Sequence, residues 1–253
     1  MISSLTSGLR ILDLLVSEQR PWRLSEIAQS LALSKSGLHG LLATLVECGY
    51  VEHLPGGFYQ LGFKAWQIGN SFPTADLVQA AAPIMERLVA RVHEGAILGV
   101  LNGAQVSYIH LVASSQVVRV HAAVGDRIAA HTTSTGLALL AFQDEGYLQR
   151  HLPRRLSSSS SSTITDLEAL KAELLITRAR GYSVNRGGWH DDVGGIAAPI
   201  MGARGPIAAI CVALPLFRMT KDWLHTVAPL LQQAASEIEK RLTERAIDGR
   251  VAK

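Results

Sequence analysis

Between Ser34 and Leu45 the chain places leucines on one side of a helical repeat and small or hydrogen-bonding residues on the other. Leu38, Leu41, Leu42 and Leu45 recur at spacings of three and four, which marks a buried helix face. Lys35, Ser36, His39, Gly40 and Ala43 fall on the opposite side. The chemistry open to such a face is recognition: an ammonium for phosphate, hydroxyl and imidazole groups for base edges, and small residues where another surface must approach. It suits the major groove of DNA. Ser34 stands at the N-cap position, where its hydroxyl can accept from a free backbone N–H. The plainer reading is a small helical subdomain with no nucleic-acid role.

Other reactive residues are sparse. His190-Asp191-Asp192 is a tight His/carboxylate cluster in a glycine-rich stretch between Gly187 and Gly194. It could cap a pocket, hold a metal or stand in solvent. With no further ligands at metal-site spacing, a solvated or loop-ordering role is favoured. His131 is read as packing and hydrogen-bonding locally rather than ligating a metal. Cys48 and Cys211 lie far apart without CxxC spacing and are expected to be free, buried thiols. Cys211, inside an apolar run, reads as a wall rather than a nucleophile, because burial raises a thiol pKa. The sequence holds no P-loop, GxSxG, HExxH or GxGxxG pattern, so neither enzymatic activity, cofactor nor metal is expected.

The elements that must position these residues follow from periodicity. Residues 24–31 form a short amphipathic helix, Ala32-Leu33 a turn, and the Lys35 segment the helix behind it. Ahead of both, Leu5, Leu9, Leu12 and Val16 form the apolar stripe of a first helix. Residues 50–54 and 58–61 read as short strands joined by Pro55-Gly56-Gly57, a hairpin turn. Next come a connecting helix over 63–72, interrupted near Gly69-Asn70 and closed by Pro73, and a helix over 76–92. Strands are predicted at 96–101, 105–112 and 117–123, and helices at 134–142 and 145–152. The serine run 157–162 reads as an exposed loop, since it has no apolar surface to bury. A helix capped by Asp166 runs to Arg180 with Gly181 beyond it. Strands at 196–201 and 207–214 are joined by Gly202-Ala-Arg-Gly205, and a long helix over 220–245 follows. The fold class is therefore α+β. A helix-turn-helix unit spans 1–63, a linker helix 64–76, and a mainly antiparallel sheet domain 77–253.

Composition bounds the alternatives. The 253 residues are 48% hydrophobic and 18% charged, enough for a sizeable core. No apolar run approaches membrane-spanning length and no basic-then-apolar signal pattern opens the chain, so a soluble, cytoplasmic protein is expected. The formal charge is +3 overall, yet through Phe63 four basic residues (Arg10, Arg20, Arg23, Lys35) face five acidic ones, leaving −1. Such a head has to gain DNA affinity from few cationic contacts, from helix-start amides and from doubling by dimerisation.

Several stretches together resemble the IclR family of bacterial transcriptional regulators. In the head these are Leu24-Ser-Glu-Ile-Ala28, Leu33-Ser-Lys-Ser36, Leu41-Leu-Ala-Thr-Leu45, Gly49-Tyr-Val51 and Tyr59-Gln-Leu-Gly62. In the second domain they are Gly125-Asp-Arg-Ile-Ala-Ala-His131 with Gly136, Arg180-Gly-Tyr-Ser-Val184 and Ile196-Ala-Ala-Pro-Ile200. The resemblance implies a winged helix-turn-helix joined by a linker helix to a GAF-like effector domain. It also implies homodimers or dimers of dimers on a palindromic double-stranded DNA operator, and a small organic effector. The residues it assigns to DNA are Arg23, Ser34, Lys35, Ser36, His39, Gly40, Thr44 and Tyr59.

The departures from the family pattern are specific. Gly37 replaces a threonine and Gly40 an arginine in the recognition helix, each helical glycine costing about 1 kcal/mol against alanine. Losing the arginine removes a guanine reader or a phosphate clamp, which shifts specificity to Ser36, His39 and the wing; a degenerate, weak binder is the alternative. In relatives that respond to two- and three-carbon acids, a carboxylate meets backbone amides at the positions of Ser134 and Thr135. The remaining matched positions carry Asn185 for an aspartate, Gly195 for a cysteine, and Cys211 and Ala213 for two serines. A pocket so altered implies a larger, less acidic ligand, aromatic or an amide or lactone. Two function classes follow: an effector-responsive regulator, or a small-molecule-binding module or enzyme with a weakened DNA-binding head.

Overall fold

The computed structural model describes residues 2–18, 20–70 and 74–251, and the chain divides into two compact units between Ala75 and Asp76. The first unit begins with α1 (Ser3–Ser17), a short strand β1 (Trp22–Arg23), α2 (Leu24–Leu31) and α3 (Lys35–Glu47). The hairpin β2 (Val51–Leu54) and β3 (Phe58–Leu61) and the helix α4 (Phe63–Asn70) complete it. Ala32 takes a left-handed conformation at the end of α2 and turns the chain into α3. Ser34 caps α3 as expected, its Oγ accepting from Gly37 N at 3.3 Å. β1 adds to the hairpin, so the wing is a three-stranded antiparallel sheet in the order β1-β3-β2. Gly56 and Gly57 both hold positive φ in its turn, a conformation that glycine adopts without strain. The unit closes on Ile11, Ile27, Leu38, Leu42 and Val51.

The stripe expected on α1 is corrected by this core. Ile11, Leu15 and Gly8 face inward and Leu12 packs at the edge, whereas Leu5, Leu9 and Val16 are 54–60% exposed. The helix is apolar on two faces, and spacing alone does not say which one a neighbour covers.

The second unit is a six-stranded antiparallel sheet in the order β6-β5-β4-β9-β8-β7. Its strands are β4 (Gly95–Asn102), β5 (Gln105–Val112), β6 (Arg127–Ala129), β7 (Ser183–Arg186), β8 (Val193–Gly202) and β9 (Gly205–Pro215). Against one face lie α5 (Thr74–Val92) and α9 (Lys221–Val251), packed on Leu98, Ile196, Ile200, Ile210 and Val212. The other face carries α6 (Ser134–Leu140), α7 (Glu145–His151) and α8 (Leu167–Arg180). With helices on both faces, the central strands β8 and β9 are buried on both sides, which explains their near-continuous apolar runs. α8 has the predicted ends: Asp166 Oδ1 accepts from Ala169 N at 3.0 Å, and Gly181 closes it at φ 81°. α5 starts at Thr74; the closing role expected of Pro73 falls outside the described residues.

The strand expected over 117–123 is absent. This stretch is an irregular strap, with Val117 95% exposed, and the sheet edge beside β5 is taken instead by β6. β-branched residues suit a strand, but without an edge to pair with they do not make one. Cys48 also departs from expectation: it sits at the C-cap of α3 and is exposed, while Cys211 is buried as predicted.

Candidate nucleic-acid interface and effector pocket

On α3, Lys35, Ser36, His39, Gly40 and Ala43 are all exposed, and the leucines behind them hold the helix to the core. Thr44 is exposed too, its hydroxyl donating to the Gly40 carbonyl at 3.0 Å. A Cβ at Gly40 would meet nothing within 4 Å, so the glycine there leaves an open surface and fills no internal need. Arg23 is exposed with its guanidinium 4.6 Å from the Phe58 ring centre, which sets it on the wing. Arg20 is tied to Glu18 at 2.8 Å and to Glu26 at 3.2 Å, so its charge is already met within the unit. Tyr59 lies elsewhere than on the expected surface: it is 9% exposed, packed in the core and stacked against His53 at 4.7 Å.

In the second unit a cavity opens between the sheet and the start of α6. Its wall includes Ser134, Asn185, Gly195, Cys211 and Ala213, brought together from α6, β7, β8 and β9. Register explains the meeting: Gly195 pairs with both Asn185 and Ala213 across neighbouring strands. Ser134 Oγ lies 3.2 Å from Cys211 Sγ, and a Cβ at Gly195 would stand 2.6 Å from that same Oγ. The missing side chain at Gly195 therefore makes the room. Gly136 has a different cause: a Cβ there would collide with the Ala130 carbonyl, so only glycine lets α6 seat against the turn before it. The Ser134 and Thr135 amides open α6, where a helix offers its own first amides no carbonyl. Thr135, though next in sequence, sits behind the wall; it is fully buried and its Oγ1 has no hydrogen-bond partner among the described residues.

No charged side chain lines this cavity among the described residues. Burial pushes the Tyr108 phenol and the Cys211 thiol above their ordinary pKa values, so both stay protonated at neutral pH. Cys211 is thus a neutral wall group and is not poised as a nucleophile. Asn185 is committed on both ends, with Nδ2 donating to the Thr132 carbonyl at 3.2 Å and Oδ1 accepting from Gly188 N at 2.8 Å. The wall is completed by Ile97, Tyr108, Val120 and Trp189. Tyr108 was legible as an inward partner of Val106 at strand spacing, and Trp189 as an aromatic stranded in a glycine-rich loop.

Comparison with known proteins decides the class. The family model for the C-terminal domain of bacterial IclR regulators matches residues 70–240, and that for the IclR helix-turn-helix domain matches residues 4–55. The chain belongs to the IclR family of bacterial transcriptional regulators. A probable transcriptional regulator, SauR of Cupriavidus necator, is 34% identical over 241 residues, covering 93% of this chain and 95% of that protein. The regulator BhcR of Paracoccus denitrificans is also 34% identical, over 94% of this chain and 86% of its own. Among solved structures, an IclR homologue from Microbacterium hydrocarbonoxydans in complex with 4-hydroxybenzoate superposes with a TM-score of 0.82. It is 29% identical, covering 96% of this chain and all of that one. An IclR-family regulator carries a helix-turn-helix head for DNA and a C-terminal domain for an effector, and both folds are present here.

Within this IclR domain the cavity has two unlike covers. The loop 187–193 that carries Trp189 is held by the serine run. Ser161 donates to Asp191 Oδ1 from both its amide (3.0 Å) and its hydroxyl (2.6 Å), and Ser160 and Thr163 donate to the Gly187 and Gly188 carbonyls. Those bonds hold the Asp191 carboxyl below its ordinary pKa. Asp191 thus has the loop-ordering role, and the serine run, exposed as expected, is also a clamp. His131 joins it, its Nε2 2.8 Å from the Ser157 carbonyl. The second cover, the strap, is tied at its start, where Arg218 binds the Val118 carbonyl at 2.8 Å while pairing bidentately with buried Glu94 at 2.6 and 2.9 Å. Past that point Val120, His121 and Ala122 make no hydrogen bond among the described residues. No group of three or more His, Cys, Asp or Glu side chains is placed to hold a metal among the described residues. No described helix is long and apolar enough to cross a membrane.

Proposed function

We propose that this regulator binds a palindromic operator as a homodimer, or a dimer of dimers, and that an aromatic acid in the α6 cavity changes operator affinity. The observation that carries the reading is the convergence of Ser134, Asn185, Gly195, Cys211 and Ala213, scattered over 80 residues of sequence, on one uncharged cavity. An acid entering it meets hydroxyls and amides in place of a cation, and an aromatic ring suits the apolar wall better than a two-carbon acid does. The 4-hydroxybenzoate held by the Microbacterium homologue is a ligand of this kind.

On the head, Lys35, Ser36, His39 and Gly40 face the groove, with Ser34 at the helix start and Arg23 on the wing. The segment 64–76 links this DNA-binding part to the effector part. Dimerisation has a surface available: Leu5, Leu9 and Val16 on α1, and Phe63 and Trp66 on α4, are all 54–60% exposed. Pairing two heads offsets their poor charge, because the second contact becomes intramolecular. Fluorescence anisotropy on DNA from upstream of the protein's own gene, titrated with 4-hydroxybenzoate and related aryl acids, tests the reading. Saturable binding that survives competitor DNA and shifts with an acid supports it. Binding indifferent to every acid that the protein itself binds overturns the coupling.

A further inference from the structure

Two open spaces meet at the mouth of the candidate effector cavity. The inner one has a cavity volume of only about 30 Å³. That is room for a water or two and not for a ring, so any organic ligand enters only after a wall has moved. The outer space is far larger, with a volume of about 710 Å³. Val120, Trp189 and Val193 border both spaces and form the partition between them. Of these, Val120 lies on the strap, in the stretch without hydrogen bonds.

Displacing Val120, the partition residue on the unbonded stretch of the strap, would merge the inner chamber with the outer one. The outer cleft is lined mostly by apolar groups, among them Val118, Pro215, Leu216 and Phe217. Phe217 is 74% exposed and Val118 58%, apolar area at the rim of a pocket that the core of the domain does not use. We infer that the bound-state site is one long groove, and that its ligand is a two-ring aryl acid. One ring and its carboxylate occupy the inner chamber by Ser134, and the second ring lies in the outer cleft against Phe217 and Val118. The inference rests on the effector reading of the same cavity and extends it to the length of the ligand.

Calorimetric titration of the full-length protein with 4-hydroxybenzoate and with 4′-hydroxybiphenyl-4-carboxylate tests it. Burying the second ring is expected to tighten binding by about tenfold or more. Phe217→Ala and Val118→Ser, both at exposed positions, should remove most of that advantage and leave the affinity for 4-hydroxybenzoate unchanged. If the one-ring acid binds and the two-ring acid binds no tighter, the long groove is wrong while the effector reading stands. If the advantage survives both substitutions, the second ring lies elsewhere and the inference fails. If neither acid binds, both readings fall. A lower molecular mass of the Phe217→Ala protein in sedimentation would assign the patch to a second copy of the chain and overturn the inference as well.

Discussion

The two units keep their candidate site residues under opposite conditions. In the head, Lys35, Ser36 and His39 stand in solvent on a helix that Leu38 and Leu42 hold in place from behind. In the effector domain, Ser134, Gly195 and Cys211 belong to the buried layer between sheet and α6. The head can therefore change what it reads without changing how it folds. The effector domain cannot, because the residues that shape its cavity also close its core. The missing side chain at Gly195 leaves room beside Ser134 Oγ, while Gly136 has no freedom at all.

The largest expected effect lies on the effector side of this contrast. Arg218→Ala leaves the Glu94 carboxylate, 5% exposed, without its partner, and breaking such a pair costs about 3–5 kcal/mol. It also frees the strap at Val118. Thermal denaturation should show a large fall in Tm. A Tm within a degree or two of the parent would mean that the strap end is not held as described.

On the head side, Lys35→Ala should leave Tm unchanged and weaken DNA binding uniformly across sequences. The slope of log affinity against log salt should flatten by about 1 per protomer, the signature of one phosphate contact. An unchanged slope would remove Lys35 from the interface. His39→Ala should instead alter the preferred sequence, read by selection from a random DNA pool, with little change in overall affinity; an unaltered preference would move readout to the wing. The smallest effect sharpens the contrast without any substitution. Under native conditions a thiol reagent should modify Cys48 and spare Cys211, whose thiol is buried and held protonated. Rapid modification of both would show that the effector cavity opens far more readily than its packing implies.

Much of this was legible in the sequence, for definable reasons. α3, its Ser34 cap, and the Asp166 and Gly181 ends of α8 are set by local chemistry, and they appear where spacing put them. β5 spans Gln105–Val112, matching the predicted 105–112, because its β-branched Val106, Ile109 and Val112 have strand neighbours on both sides. What failed depends on partners distant in sequence. Residues 117–123 look like a strand, but the edge they would need belongs to β6. The α1 stripe is apolar on both faces, and only the packed core shows that Ile11 and Leu15 are the inner pair. The serine run has the composition of a bare loop, yet its hydroxyls find Asp191 and the Gly187 carbonyl some 30 residues away, and the adjoining Thr163 finds the Gly188 carbonyl. The candidate effector residues were matched through family resemblance. That Asn185, Gly195, Cys211 and Ala213 share one wall is a matter of strand register, which no local pattern encodes.

The central claim is that the cavity by Ser134 governs the helix that meets DNA. Its most direct test compares operator affinity with and without a saturating aryl acid, in the parent and in Gly195→Leu, whose Cβ alone would press on Ser134 Oγ at 2.6 Å and whose branches would block the chamber. The parent's affinity should change with ligand, while the variant, checked for an intact fold by circular dichroism, should bind the operator equally in both conditions. An equal ligand response in parent and variant would place the effector elsewhere and contradict the account.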